Sequence, residues 1–296
     1  VSDSEYGVIV VRIVGGLGNQ MFQYACGRAA AIRSRRQLLL DISAFDRYKT
    51  HQYGLDGFRI IAQIASRKLQ TDSRLRASLR HLGLSTKMQM NLQGFHYLKE
   101  AEDLAFQSSM PGNCIKTYLD GYWQNEAYFA DSSNIIRAEF QLRRAGAAPD
   151  VRAIAGDDLP LVSLHIRRGN YVNDPKANAV HGVLDLGYYL DAIALLTKRI
   201  GEGFHIVVFS DDIEWVRQKL VCKQPLSFVS GSTAVPHEDL HLMASCDHHI
   251  IANSSFSWWG AWLNPSPKKM VIAPKNWFVS PKFSHQYICP SSWVQI

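Results

Sequence analysis

The stretch His165-Ile166-Arg167-Arg168-Gly169-Asn170-Tyr171 sets two guanidinium groups side by side next to a glycine. Arginine keeps its charge at any physiological pH, and paired forks of this kind suit a phosphate-bearing ligand or the negative charge of a departing group. Asn170, two residues past Arg168, can donate and accept hydrogen bonds but takes no proton at neutral pH. Asp211, in "FSDD", closes the apolar run "HIVVF". A carboxylate there suits a ribose or base contact, or the plainer role of capping the next helix. After "HHIIA" comes "NSSFSWWGAWL", in which the hydroxyls of Ser254, Ser255 and Ser257 can cap a helix beginning near Ser257 or hold phosphate oxygens at its start, while Asn253 only opens an N-x-S sequon. Trp258, Trp259 and Trp262 then read as core or ring-stacking residues. In "GGLGNQ", Gly16, Gly18 and Asn19 lie between a strand-like and a helix-like segment, where unpaired N–H groups favour an anion or the glycines serve tight strand–helix packing.

Two other chemistries fit less well. The third glycine of a dinucleotide fingerprint would fall at Met21, and no Gly-Lys-Ser/Thr element completes a phosphate loop. His237, Glu238 and His241 spell the zinc-protease pattern H-E-x-x-H. Pro236 puts that pattern at the first turn of a helix, however, and no third ligand follows at a recognised spacing. A dinucleotide-dependent Rossmann enzyme and a zinc hydrolase therefore stand as the alternatives, with no metal site expected.

These residues need strands and helices to carry them. Val162, Leu164 and Ile166 alternate with Ser163, His165 and Arg167, which predicts a strand over 161–167 that ends at the arginines. The first forty residues read as a βαβ unit, with a strand in "VIVVRIV", a helix from Met21 and a second strand in "QLLLD". Residues 59–90 read as helical, with Ile60, Ile61, Ile64, Leu75, Leu79 and Leu82 as the apolar stripe. The small-residue and charged stretch 143–160 reads as a junction. Beyond it, strands and helices alternate through "HIVVFS", "LSFV", "HHIIA" and "MVIAP". The expected fold class is α/β, with domains over 1–150 and 151–296.

The chain has 296 residues, 20% charged and 47% hydrophobic, with a net charge of +6. Arg59, Arg67, Lys68, Arg74, Arg76, Arg80 and Lys87 face only Asp72 within their segment, so residues 59–87 carry the whole excess. Such a patch is a solvated helix face, or a contact for an anionic membrane or substrate. The five cysteines are scattered without a C-x-x-C pair, which fits free thiols in a reducing compartment. The start has no basic region before an apolar run, and no apolar run reaches membrane-spanning length. The expected location is cytoplasmic, with peripheral contact at the inner face of the membrane.

"GGLGNQMFQYA", "HIRRGNYV", "FSDD" and "IIANSSFSWWGAW" occur in this order, and together the chain resembles the alpha-1,2-fucosyltransferases, in their bacterial branch, from about residue 8 onward. The resemblance implies two Rossmann-like domains facing across a cleft (GT-B type), the first on the acceptor side and the second on the donor side. It implies transfer of L-fucose from GDP-fucose to the 2-hydroxyl of a terminal galactose, with inversion, and with neither a metal nor a further cofactor. The acceptor would be a galactose-terminated oligosaccharide or a lipid-linked glycan, and no nucleic acid is involved. Carried over by motif, Arg167 or Arg168 would hold the diphosphate. Gly16, Gly18 and Asn19 would approach it from the other domain, and Asn253, Ser254, Ser255 and Ser257 would bind phosphate. His165, Asp211 and Glu238 would lie on the nucleotide side. The family pattern has Asp where this chain has Asn170, so a base at that position is lost. The nearest carboxylates in sequence are Asp174 and Asp185, and restoring Asp at 170 is expected to raise kcat at least about tenfold.

Overall fold

A computed structural model describes residues 7–47, 50–71, 74–81, 83–107, 114–144, 150–229, 236–283 and 288–296. The contacts divide the chain into Val1–Gln141 and Leu142–Ile296. This division falls at the start of the junction stretch, because α5 (Val151–Ala155) sends Val151 into a core with Leu161, Val207 and Val229 of the second unit.

The first unit is built on β1 (Val8–Arg12), α1 (Leu17–Ser34) and β2 (Gln37–Asp41). Next come β3 (Gln63–Ile64), α2 (Arg74–His81), α3 (Thr86–Leu92), β4 (His96–Lys99), β5 (Lys116–Asp120) and α4 (Ser133–Glu139). Its sheet is parallel, in the order β3-β2-β1-β5-β4. Ile9, Val10 and Val11 of central β1 are fully buried, as a strand covered on both faces must be. α1 crosses β1 so closely that a Cβ on Gly27 would stand 2.1 Å from Cγ2 of Val11; only glycine fits.

The helical reading of 59–90 needs correction. Ile61 and Ile64 are exposed, and Gln63–Ile64 forms an edge strand against β2 instead. Gly83, at φ 86, separates α2 from α3, and Ser85 starts α3 by accepting the Met88 N–H at 3.2 Å. The core is served by Ala65, Met90 and Phe95, which pack with Val10 and Tyr118. The side chains of Asp72, Arg74, Leu75, Arg76 and Leu82 lie outside the described residues.

The second unit continues with β6 (Leu161–Ile166), α6 (Gly169–Asn173), α7 (Pro175–His181), α8 (Leu186–Ile200) and β7 (His205–Ser210). It ends with α9 (Ile213–Lys219), β8 (Leu226–Val229), α10 (Pro236–Ala244), β9 (His248–Ile250), α11 (Ser255–Leu263), β10 (Val271–Ala273) and β11 (Val294–Gln295). Its sheet is also parallel, in the order β11-β10-β9-β6-β7-β8, and all six residues of β6 are buried. Pro175–Ile200 is long and apolar enough by composition to cross a membrane. Residues 182–185 break it into α7 and α8, though, and α8 commits Tyr189, Ala192, Ile193 and Leu196 to this unit's core.

Candidate active site

In the second unit the chain leaves β6 toward β7 and β8 on one side, then returns to build β9, β10 and β11 on the other. Such a reversal opens a crevice at the carboxyl ends of the two strands it separates, here β6 and β9. β6 hands Arg167 and Arg168 to the connection that leads into α6, whose first residues are Gly169 and Asn170, and the loop after β9 carries Asn253 and Ser254 into α11. The Tyr171 hydroxyl ties them together by donating to the Asn253 carbonyl at 3.2 Å.

The parallel register of β6 and β7 sets Ile166 against Ser210, so the residues just beyond continue the pairing. Arg167 Nη1 lies 2.8 Å from Asp211 Oδ2, and its Nη2 donates to Asn170 Oδ1. Arg168 Nε donates to Asp212 Oδ2 at 2.9 Å, while its guanidinium lies 3.7 Å from the centre of the Trp215 ring. The terminal amino groups of Arg168 make no hydrogen bond to the described residues, so one bidentate edge is left to offer. Asp211 also accepts the Arg168 backbone N–H at 2.8 Å. A Cβ on Gly169 would stand 2.3 Å from the same carboxylate, which explains the glycine after the arginines. Asp211 is thus committed to holding both arginines, and the residue in the N-cap position of α9 is Asp212, not Asp211.

His165 is 5% exposed, its ring 5.8 Å from that of Phe256 in the first turn of α11. Burial, with the Arg167 charge adding to it, pushes its pKa down to about 3, and its buried Nδ1 has no hydrogen-bond partner. A neutral ring with an unmet nitrogen can serve a nucleotide contact but cannot neutralise phosphate charge.

The residues after β9 divide by role. Asn253 donates to the carbonyls of His181 at 2.7 Å and Trp277 at 3.3 Å, a strut between loops. Ser254 caps α11 by accepting the Phe256 N–H at 3.3 Å, so the helix begins two residues earlier than expected. Ser257 is 1% exposed, and its hydroxyl donates inward to the Ala252 and Ser254 carbonyls. Ser255 is half-buried in the first turn. Trp258, Trp259 and Trp262 are buried among one another and belong to the core.

Asp174 and Asp185 both cap helices, accepting the N–H groups of Lys176 and Tyr188 at 2.9 Å. Asp185 is exposed and lines a pocket of about 450 Å³ with Tyr188, Asp191 and Asn276. Glu238 is half-buried in the first turn of α10, with His241 exposed on the next turn. Among the described residues no group of three or more His, Cys, Asp or Glu is arranged to hold a metal.

In the first unit Gly16 occupies the N-cap position of α1, which takes in Gly18 and Asn19, so the helix again starts before its expected residue. Asn19 Oδ1 accepts from Gln124 Nε2 at 2.7 Å. Gln20 is fully buried and donates to the carbonyls of Gly15 and Gln52, while its own oxygen accepts from Gly54. Much of "GGLGNQ" therefore builds its own loop. Asp212 and Gln20 stand inside "FSDD" and "GGLGNQ" without a role of their own in the sequence, whereas Trp215 and Gln124 carry no local signal that marks them.

The family model described as glycosyl transferase family 11 matches residues 2–296. An alpha-1,2-colitosyltransferase of Escherichia coli is 33% identical over 98% of this chain and 99% of its own length. The mouse galactoside 2-alpha-L-fucosyltransferase Sec1 is 25% identical, over 87% of this chain and 64% of its own. The crystal structure of fucosyltransferase NodZ from Bradyrhizobium aligns with a TM-score of 0.52 at 13% identity, covering 87% of this chain and 92% of that one. That likeness extends the α/β architecture of two parallel sheets to the GT-B fold class. A full-length family match and a near full-length relative make this chain a glycosyltransferase, a member of glycosyl transferase family 11.

Proposed function

We propose that this glycosyltransferase moves L-fucose from GDP-fucose to the 2-hydroxyl of a terminal galactose, forming an alpha-1,2 linkage with inversion and without a metal. The observation that carries the reading is Arg168, stacked on Trp215, anchored through Nε, and offering its terminal amino groups at a strand-end crevice. The acceptor hydroxyl attacks the anomeric carbon from the face opposite the diphosphate. The carbon–oxygen bond to GDP breaks, and its electron pair goes to the diphosphate oxygen. Arg168 neutralises that charge with no reorganisation, because its contacts already hold it in place. Arg167 and Asn170 shape the same loop, and the N–H groups at the start of α11 supply further positive potential. The hydroxyl proton goes to a carboxylate, Asp185 or Asp174, the first two that follow Asn170 in sequence. His165, Asp211 and Glu238 belong to the nucleotide side, and Gly16, Gly18 and Asn19 to the first unit's approach to the donor.

A second reading concerns the donor sugar alone. The 33% identical relative is named a colitosyltransferase, which favours testing GDP-colitose beside GDP-fucose. The acceptor is a galactose-terminated oligosaccharide or lipid-linked glycan, and the enzyme works in the cytoplasm, where its five free thiols stay reduced. The test is GDP release and product linkage with both donors, a galactoside panel and EDTA throughout. Alpha-1,2-linked product with EDTA present supports the reading. Activity abolished by EDTA and restored by zinc would overturn it in favour of His237, Glu238 and His241.

A further inference from the structure

The first unit has its own chain reversal. β1 lies between β2 and β5, and a reversal of this kind places a binding crevice at the carboxyl ends of the two strands it separates, here β1 and β5. The Gly-rich turn after β1 and the turn Gly121–Gln124 after β5 meet there through the bond from Gln124 Nε2 to Asn19 Oδ1 at 2.7 Å.

The second turn is strained and held by a buried charge. Trp123 adopts φ 57, a left-handed backbone that a bulky residue seldom takes. Gly121 has no room for a side chain, since a Cβ would stand 2.3 Å from Cβ of Glu100. Glu100 directly follows β4 and is 7% exposed. Its two oxygens accept the backbone N–H groups of Tyr122 at 2.5 Å and Trp123 at 2.8 Å. Strain of this kind persists only where the surroundings impose it, and it concentrates where a ligand must be positioned. The turn presents Tyr122, 38% exposed, beside the half-buried amide of Gln124. A flat ring for the apolar face of a sugar, next to an amide for its hydroxyls, suits a neutral saccharide.

Resting on the fucosyltransferase reading above, we infer that Glu100 is a positioning residue for the acceptor galactoside, fixing through its two backbone bonds the Tyr122–Gln124 turn that receives the sugar. With both oxygens committed, it orients the acceptor and takes no proton from it. Burial pushes its pKa up to about 7, opposed by its two backbone bonds, with Asp120 on β5 adding to the rise. Asp120 is itself paired with Arg12 at 3.2 Å and bonded by the Tyr97 hydroxyl. The Cys26 thiol on α1 and the Tyr128 hydroxyl also face Glu100, and burial raises both pKa values so that they stay neutral. Protonating Glu100 turns an acceptor oxygen into a donor and loosens the turn.

The test is steady-state kinetics of Glu100→Gln and Tyr122→Ala with galactoside and GDP-fucose varied separately, from pH 6 to 8. Losing one well-placed hydrogen bond to the turn should raise the acceptor KM of Glu100→Gln about tenfold, with donor KM and kcat at saturation within about twofold. The wild-type acceptor KM should climb as pH falls from 8 to 6, and that climb should be absent in Glu100→Gln. Tyr122→Ala leaves the backbone bonds of Glu100 intact and should raise the acceptor KM alone. An acceptor KM unmoved in both variants overturns the inference. So does a Glu100→Gln that loses kcat and thermal stability together while Tyr122→Ala behaves as wild type. A wild-type enzyme inert toward every GDP-sugar would instead refute the fucosyltransferase reading, which separates the two failures.

Discussion

Replacing Arg168 by alanine removes the group that the structure prepares most completely for a departing diphosphate. Its side chain is 17% exposed, stacked on an indole and bonded through Nε to Asp212. Deleting one preorganised charge-stabilising donor costs about 10²–10³ in kcat, or about 3–4 kcal/mol. Trp215 stacks on the far part of that arrangement, so Trp215→Leu keeps the charge and removes only its support. A cation–π contact at a partly desolvated site is worth about 1–2 kcal/mol, which predicts a fivefold to thirtyfold loss. Asp212 is 40% exposed, and its screened ion pair is worth under about 1 kcal/mol, so Asp212→Asn should lose no more than about fivefold. The order Arg168→Ala, then Trp215→Leu, then Asp212→Asn is the signature to look for. It is read from GDP release at saturating donor and acceptor with EDTA present, with circular dichroism to confirm folding. If Arg168→Ala keeps more than about a third of kcat, leaving-group stabilisation does not rest on this residue.

Asn170 accepts from Arg167, so an aspartate there would pair with a guanidinium that weakens it as a base. Asn170→Asp should therefore change kcat by less than about threefold, short of the tenfold gain expected of an unpaired carboxylate; a rise of tenfold or more would restore position 170 as the base. Asn253→Ala should cost about 1–3 kcal/mol in urea unfolding, because it leaves two carbonyls inside the protein unmet, and donor affinity should fall less than stability. Acid should destabilise the fold. Burial lowers the pKa of His165 to about 3 and of His181 to about 4, so below 6.5 the unfolded chain binds protons that the native state refuses. The stability these rings contribute is complete above pH 6.5 and is lost as pH falls, by about 2 kcal/mol between pH 6 and 5 for the pair, partly offset by Glu100, whose raised pKa acts oppositely. Denaturation midpoints that stay constant from pH 7 to 5 would contradict this. Arg59, Arg67, Lys68 and Lys87 are exposed, so the protein should sediment with anionic liposomes, release with salt and ignore neutral ones; equal behaviour on both lipids leaves a solvated face.

Much of the architecture was legible along the chain, because alternation and turn residues report local backbone and burial. The strands at 161–166, 205–210 and 226–229 fell close to where their patterns put them, and the Gly-rich turn and the serine cluster marked helix starts. The same local signals existed at Gly83 and Ser85, yet the isoleucines of 59–64 outweighed them, since periodicity does not say whether an apolar residue has anything to pack against. Partnership lay outside the sequence altogether. Arg167 meets Asp211 because β6 and β7 run parallel in one register, and Trp215 reaches Arg168 only after α9 folds back from that strand end. Ser257 reads as a phosphate ligand by type and position, and Asn253 by the family resemblance, but tertiary packing turned their polar atoms onto backbone carbonyls. Residue types and spacing determined which chemistry this chain carries. Which groups stay available for it was decided by the sheet, because a buried polar atom must first be satisfied by whatever the fold brings next to it.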